Sequence, residues 1–290
     1  MEIPKLLCVV GPTASGKTDF AIELCKERGG EVVSCDSMQI YRGMDIGTAK
    51  PTKEEMQGIA HHMLDVVEPE TNYSVADFVT DARACIADIL NRGKLPVLCG
   101  GTGLYVDSLL HQIEFAPMPR DDAFREEMRA LANREGNEAL HQRLKALDPA
   151  AAGAIHPNNV KRVIRALEMI EIGKMTKTQS DRLSKKTPVY DAEIYGLSMP
   201  RERLYERINL RVDRMMERGL LSEVENLLRR GVPEDVTSMQ AIGYKELIAH
   251  IKGELSLQEA VDSIKLHSRR YAKRQMTWFR RNPEITWISR

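Results

Sequence analysis

Short apolar runs alternate with longer amphipathic stretches through the first hundred residues. KLLCVV (residues 5–10) is a compact, partly β-branched apolar run that ends at a glycine-containing loop. TDFAIELCKERGG (18–30) places Phe20, Ala21 and Leu24 on one helical face and stops at Gly29-Gly30. EVVSCDS (31–37) predicts a second buried strand, SVADFVTDARACIADILNRG (74–93) a helix, and KLPVLCGGTG (94–103) a third strand. Strand, helix, strand, helix, strand at these lengths predicts a doubly wound parallel sheet.

The pattern changes after about Phe115. APMPR (116–120) is a Pro-containing break, and residues 121–173 then read as helix with no strand candidate. GKMTKTQSDRLSKKTP (173–188) is polar and predicts an exposed connection, after which AEIYGLSM (192–199) restores a strand. The expected fold is therefore α/β. Residues 1–115 and 191–290 would form a P-loop NTPase-like parallel-sheet core, and residues 116–190 a helical insertion domain. In PRERLYERINLRVDRMMERG (200–219), Leu204, Ile208, Val212 and Met215 share one face, and Arg203, Arg207, Arg211, Arg214 and Arg218 form a second stripe. A last long helix opens with a capping box, Ser256 to Glu259, and ends before Asn282-Pro283. EITWIS (284–289) predicts a closing strand.

Composition narrows the field of partners. In 290 residues, 42 basic and 42 acidic side chains cancel, so nucleic-acid binding would have to rest on local clusters. Only 5% of residues are aromatic, which argues against a surface built from many stacking platforms. The five cysteines, Cys8, Cys25, Cys35, Cys85 and Cys99, form neither a C-x-x-C pair nor a Cys/His metal spacing and suit reduced, buried thiols. No apolar run reaches the roughly 20 residues of a membrane span, and the N-terminus lacks a signal-peptide pattern. The expectation is a cytoplasmic protein without a membrane partner.

The strongest chemical signal is GPTASGKT, with Gly11, Pro12, Thr13, Ala14, Ser15, Gly16, Lys17 and Thr18 placed between an expected strand and helix. Glycines let successive backbone N–H groups converge on phosphate oxygens. The helix start adds a positive end, Lys17 a cation, and the Thr18 hydroxyl a ligand for Mg²⁺. The third strand ends in LCGGTG with no acid, so the acid nearest this loop at a strand end is Asp36. On pattern alone Asp36 is a Mg²⁺ ligand, an N-cap or a catalytic carboxylate.

Taken together, GPTASGKT, DSMQIYRGMDIGTAKP (36–51), GGTGLY (100–105), IHPNNVKRVIRALE (155–168) and KRQMTWFR (273–280) resemble the tRNA dimethylallyltransferases over the whole chain and in order. The resemblance implies that the loop grips the diphosphate of dimethylallyl diphosphate. The five-carbon group would pass to the 6-amino group of the adenosine 3′ of the anticodon, with Mg²⁺ as cofactor. It implies Asp36 as the base, Thr18 as the Mg²⁺ ligand, and Arg211, beside Arg207, on the diphosphate. It implies tRNA contacts at Asp36, Ser37, Met38 and Gln39, at Thr102 and Arg125, and at Gln240, Ala241, Ile242, Gly243, Tyr244 and Lys245. The last six residues alone would read only as a Gly-containing turn.

Two basic clusters suit RNA. Lys161, Arg162 and Arg165 share a helical face, and the whole segment with Val163 and Ile164 is assigned to tRNA; a solvated face is the alternative. Arg269, Arg270, Lys273, Arg274, Arg280 and Arg281 put six positive charges within 13 residues, with Tyr271, Trp278 and Phe279 interleaved. Gln275, Met276 and Thr277 belong to the same matched segment. The Arg203–Arg218 stripe could equally be a solvated face paired with Glu202, Glu206 and Glu217. Rival functions are an adenylate isopentenyltransferase acting on free AMP, ADP or ATP, and a small-molecule kinase. The expected partners are a tRNA anticodon stem-loop and dimethylallyl diphosphate, bound by a monomer.

Overall fold

The computed structural model describes residues 3–111, 121–183 and 187–290. The chain divides into two compact units, residues 1–111 with 188–290, and residues 112–187. The Pro-containing break expected at 116–120 lies outside the described residues.

In the first unit, strand β1 (Lys5–Val10) leads through the glycine loop into helix α1 (Lys17–Arg28), which ends where Gly29 adopts φ 66° and its N–H bonds the Cys25 carbonyl. Strand β2 (Gly30–Ser34), a two-residue strand β3 (His61–His62), helix α2 (Val75–Asn91), strand β4 (Leu95–Gly100) and helix α3 (Gly103–Leu110) follow. After the second unit come β5 (Asp191–Ser198), α9 (Arg201–Glu217), α10 (Leu220–Arg229), α11 (Tyr244–Ile251), α12 (Leu257–Phe279) and β6 (Thr286–Ser289). The strands form one six-stranded sheet in the order β3-β2-β4-β1-β5-β6, every described pairing parallel. All loops that follow β1, β2 and β4 therefore emerge on one edge, where open α/β sheets bind their ligands.

One apolar layer, including Leu7, Val9, Leu24, Val32, Val97 and Leu197, joins α1 to the sheet. A second gathers Val212, Leu220, Val224, Tyr244, Leu247 and Ile264 from the late helices around Ile40, Tyr41 and Met44. The five cysteines are unpaired, and all but Cys85 are buried. Among the described residues no helix is long and apolar enough to cross a membrane.

The second unit contains α4 (Asp122–Glu135), α5 (Asn137–Leu147), α6 (Pro149–Ala154), α7 (Val160–Glu171) and α8 (Lys177–Leu183). Met128, Leu140, Leu144, Val163 and Leu167 fill its core. The polar run expected as an exposed connection instead contains α8. Its start is tied down by Asp148, which accepts the Thr178 N–H at 3.0 Å and hydroxyl at 2.6 Å. β3, α10 and α11 were also not expected. β3 is too short to show a period, whereas the spacing of Leu220, Val224 and Leu227 is itself helical.

Glu168, fully buried, organises this unit. Its carboxylate accepts Nε and Nη2 of Arg125 at 2.8 Å each, Nη1 of Arg165 at 2.5 Å and the Asp121 N–H at 3.0 Å. Burial alone would raise its pKa, but Arg125, the Asp121 amide and Arg165 outweigh burial and hold it at about 2. A depressed carboxylate stabilises the fold above its unfolded pKa, near 4.3, and that contribution disappears as pH falls toward 2. Glu168→Ala leaves two arginines without their partner and should cost about 3 kcal/mol in denaturant unfolding at pH 7, with a smaller deficit near pH 2. An equal deficit at both pH values would contradict this account.

Candidate active site

The phosphate loop is shaped by what surrounds it. Gly11 has φ 146°, and a Cβ there would lie 2.8 Å from the Leu197 carbonyl oxygen, so only glycine fits against β5. Ser15 is 2% exposed and its Oγ has no hydrogen-bond partner among the described residues. Lys17 Nζ donates to the Pro12 carbonyl at 2.6 Å. From α9, Arg211 Nη1 donates to Thr13 Oγ1 at 3.2 Å and Arg207 Nε to the Ala14 carbonyl at 2.8 Å. Burial, opposed by Cys99 and Asp36 and reinforced by Arg211, lowers the Lys17 ammonium pKa to about 8. Burial likewise lowers Arg211. Two cations thus share a desolvated loop rimmed by N–H groups, an arrangement that an anion would relieve.

Asp36 follows β2, at the same sheet edge. Its Oδ1 accepts the Met38 N–H at 2.9 Å, and the Ser37 N–H donates to Thr102 Oγ1 at 3.2 Å. A Cβ on Gly100 would fall 2.0 Å from the Cys35 carbonyl oxygen, so glycine at the end of β4 lets the two strand ends meet. Tyr271 from α12 completes this corner, its phenol pushed up to about 12 by burial and by the Asp36 charge, and so neutral.

Three cavities meet here. One of about 460 Å³ has Asp36, Ser37, Thr13 and Arg211 at one end and Ile208, Val212, Met215, Leu220 and Ile264 along its wall. A second, of about 100 Å³, holds Lys17, Thr18, Asp36, Gln39 and Arg211. A third, of about 490 Å³, is lined by residues 14–19 and by Arg207, Arg211, Arg214 and Arg218. Arg211 borders all three and Asp36 the first two. Among the described residues no group of three or more His, Cys, Asp or Glu side chains could hold a metal unaided. The Thr18 hydroxyl beside the loop fits an ion whose remaining ligands come from phosphate oxygens and water.

Other residues named from the sequence take various positions. Gln240, Ala241, Ile242, Gly243 and Lys245 line the 460 Å³ cavity, but Tyr244 is fully buried and has no surface for RNA. Gln275 is buried too: its Oε1 accepts the Thr13 N–H at 2.9 Å and its Nε2 donates to the Gly101 carbonyl at 3.0 Å. It braces the phosphate loop instead of reaching RNA. Trp278 Nε1 donates to Asp107 Oδ2 at 2.9 Å, and Phe279 is buried. Lys273, Arg274, Thr277 and Arg280 are exposed and Met276 half-buried, with Arg274 over Tyr271 and Arg281 over Trp278.

In the helical unit Lys161 and Arg162 are exposed, whereas Val163 and Ile164 belong to its core because they occupy the inner face of α7. The guanidinium groups of Arg125 and Arg165 are engaged by Glu168.

Sequence reasoning missed the brace on residues 45–51, a segment that borders all three cavities. Glu223 accepts the N–H groups of Asp45, Ile46 and Gly47 at 2.9, 2.8 and 3.1 Å, and the Tyr244 hydroxyl at 2.6 Å. A Cβ on Gly47 would sit 2.4 Å from the Tyr244 ring. Buried Lys50 donates to the Tyr41 carbonyl at 2.9 Å and to Asp45 and Asp65 at 2.6 Å each. A charged residue among the leucines of α10 was the available signal, but its partner lies over 170 positions away.

A family model described as IPP transferase matches residues 39–282, and one described as isopentenyl transferase matches residues 4–72. The chain is 51% identical over 285 residues to a tRNA dimethylallyltransferase of Halalkalibacterium halodurans, covering 98% of this chain and 90% of that protein. It is 51% identical over 283 residues to a tRNA dimethylallyltransferase of Bacillus subtilis, with the same coverage. The crystal structure of the full-length tRNA isopentenylpyrophosphate transferase of Bacillus halodurans has a TM-score of 0.73 at 49% identity, covering 98% of this chain and 89% of that one. A eukaryotic dimethylallyltransferase acting on tRNA has a TM-score of 0.81 at 28% identity, covering 99% of this chain and 74% of that one.

Glu223→Ala removes the acceptor for three loop N–H groups. Amide hydrogen exchange at Asp45, Ile46 and Gly47 should accelerate about tenfold, the equivalent of roughly 1.4 kcal/mol of lost protection. Unchanged exchange at these amides would show that the carboxylate does not hold the segment.

Proposed function

The chain belongs to the IPP transferase family of tRNA dimethylallyltransferases, and we propose that it carries a dimethylallyl group from dimethylallyl diphosphate to the exocyclic 6-amino group of the adenosine 3′-adjacent to a tRNA anticodon. One observation carries this reading. An anion cradle, a carboxylate and an apolar wall border adjoining cavities that share Arg211.

In this reading the N–H groups of residues 14–18, Ser15 Oγ, Lys17, Arg207 and Arg211 receive the donor's diphosphate. Burying five carbons against Ile208, Val212 and Ile264 contributes about 4 kcal/mol, which alone gives only millimolar binding. The diphosphate contacts therefore carry much of the affinity.

The adenine amine attacks the first carbon of the donor as that carbon's bond to the diphosphate oxygen breaks, and the bonding pair leaves with the diphosphate. Adenine's amine is a weak nucleophile because its lone pair is delocalised. Asp36 accepts its proton as the new bond forms, an effect worth about 10² to 10⁴ in rate. Lys17 and Arg211 oppose the charge that develops on the leaving group. The Thr18 hydroxyl would hold Mg²⁺, which when bound would add to the neutralisation of that charge.

The target adenosine must leave its stacked loop to reach Asp36. Residues 36–39, Thr102, residues 240–243 and Lys245 border the cavity it would enter or the Asp36 corner beside it. The exposed basic side chains Lys273 and Arg274 of α12, Arg280 just after it, and Lys161 and Arg162 of α7 suit the stem-loop's phosphates.

The test offers labelled dimethylallyl diphosphate and Mg²⁺ with an unmodified anticodon stem-loop, AMP or ATP as acceptor. Label is expected on the stem-loop alone; label on a free nucleotide would transfer the assignment to adenylate prenylation. Asp36→Asn should lower the single-turnover rate at least 100-fold while stem-loop affinity stays within twofold. Near-normal transfer by this variant would remove Asp36 as the base.

A further inference from the structure

Helix α9 carries more positive charge past the phosphate loop than gripping a diphosphate there requires. Arg207, Arg211, Arg214 and Arg218 recur every three or four residues, so they run as one row along the helix, and all four line the 490 Å³ cavity. Arg207 and Arg211 are spent on the loop, at Ala14 and Thr13. Arg214 and Arg218 are exposed and make no side-chain hydrogen bond or ion pair among the described residues. Glu202, Glu206 and Glu217 do not neutralise them, and the ion pair α9 does form, Asp213 to Lys265 at 2.6 Å, leaves the row untouched.

The acids lining this cavity are Asp19 and Glu55, and the Glu55 carboxylate is already accepting the Thr52 N–H at 2.8 Å. The buried, unpartnered Ser15 Oγ lies in the same lining, whereas Asp36 and Tyr271 do not. The cavity thus leads to the phosphate side of the site and not to the carboxylate. On a chain with no net charge, the row is a local field and not part of a global one.

Distance explains why the loop's own cations would not suffice. Seven residues of helix separate Arg211 from Arg218, about 10 Å along the axis. Exposed charges are screened over about 8 Å at physiological salt, so an anion at the outer end would feel Arg211 only weakly.

We propose that Arg214 and Arg218 are steering residues that draw dimethylallyl diphosphate along the outer face of α9 into the phosphate loop. The step is non-covalent, and the recognised chemistry is an organic diphosphate. It rests on the prenyl-transfer reading for the identity of the donor, but not for the anion path itself.

The test compares wild-type protein with the double variant Arg214→Gln/Arg218→Gln in Mg²⁺ buffer over a range of salt. The variant should lose about tenfold in kcat/KM for the donor at low salt, and its dependence on salt should flatten. The loss should fall on kcat/KM and not on kcat, with stem-loop affinity unchanged. Arg214→Lys/Arg218→Lys, which keeps the charge, should restore the rate. Stopped-flow association of inorganic diphosphate without RNA should show the same order among the three proteins. Equal donor kcat/KM and salt dependence in wild type and the Gln variant would overturn the proposal, as would a loss confined to stem-loop binding. If diphosphate association follows the row but wild-type protein transfers nothing to the stem-loop, the steering stands and the prenyl-transfer reading falls.

Discussion

Two half-buried cations, Lys17 and Arg211, flank one loop, and the rest of the site answers to that arrangement. Burial weakens the hold of Lys17 on its proton, and Arg211 adds to that cost. The fold tolerates this because the sheet fixes the loop from below, β5 presses on Gly11, and α9 supplies its arginines from a helix packed through Leu204, Ile208 and Val212. A diphosphate turns the cost into binding energy. A site poised in this way would stabilise a diphosphate leaving group further as charge develops.

Close glycine contacts explain why motifs far apart in sequence occur together. Gly101 leaves room for Gln275, whose Nε2 would lie 2.1 Å from a Cβ there, and Gly103 leaves room for the Trp278 ring, at 2.3 Å. GGTG and KRQMTW are therefore two halves of one packing surface. Gly47 and Tyr244 make a second such pair. In each case the glycine lets a side chain from a late helix reach the active-site loops, so α11 and α12 close a site that the α/β core only begins.

Much of the fold was legible because the strands β1, β2 and β4 are continuous apolar runs that end at glycines or at Asp36, and because α12 announces itself with a capping box. The phosphate loop and Asp36 were legible as local pattern. What sequence could not supply were long-range partners. Gln275 reads as one more residue of a basic helix until the chain brings Thr13 and Gly101 to its amide. Arg125 reads as a free cation until Glu168 is seen beneath it. Glu223 carries no motif at all, and Lys50 and Tyr244 sit in matched segments that do not name their partners; these roles depend on groups that only the folded chain brings together.

The central claim is that the phosphates on residues 11–18 belong to a prenyl donor whose tail points toward Asp36. A crystal structure with Mg²⁺ and an unreactive thiolo analogue of dimethylallyl diphosphate measures this directly. The account predicts the diphosphate on the loop N–H groups, Lys17 and Arg211, and the five-carbon tail against Ile208, Val212 and Ile264, with its first carbon facing the Asp36 carboxylate. A tail directed into the arginine-lined cavity, or a diphosphate bound away from the loop, would contradict it.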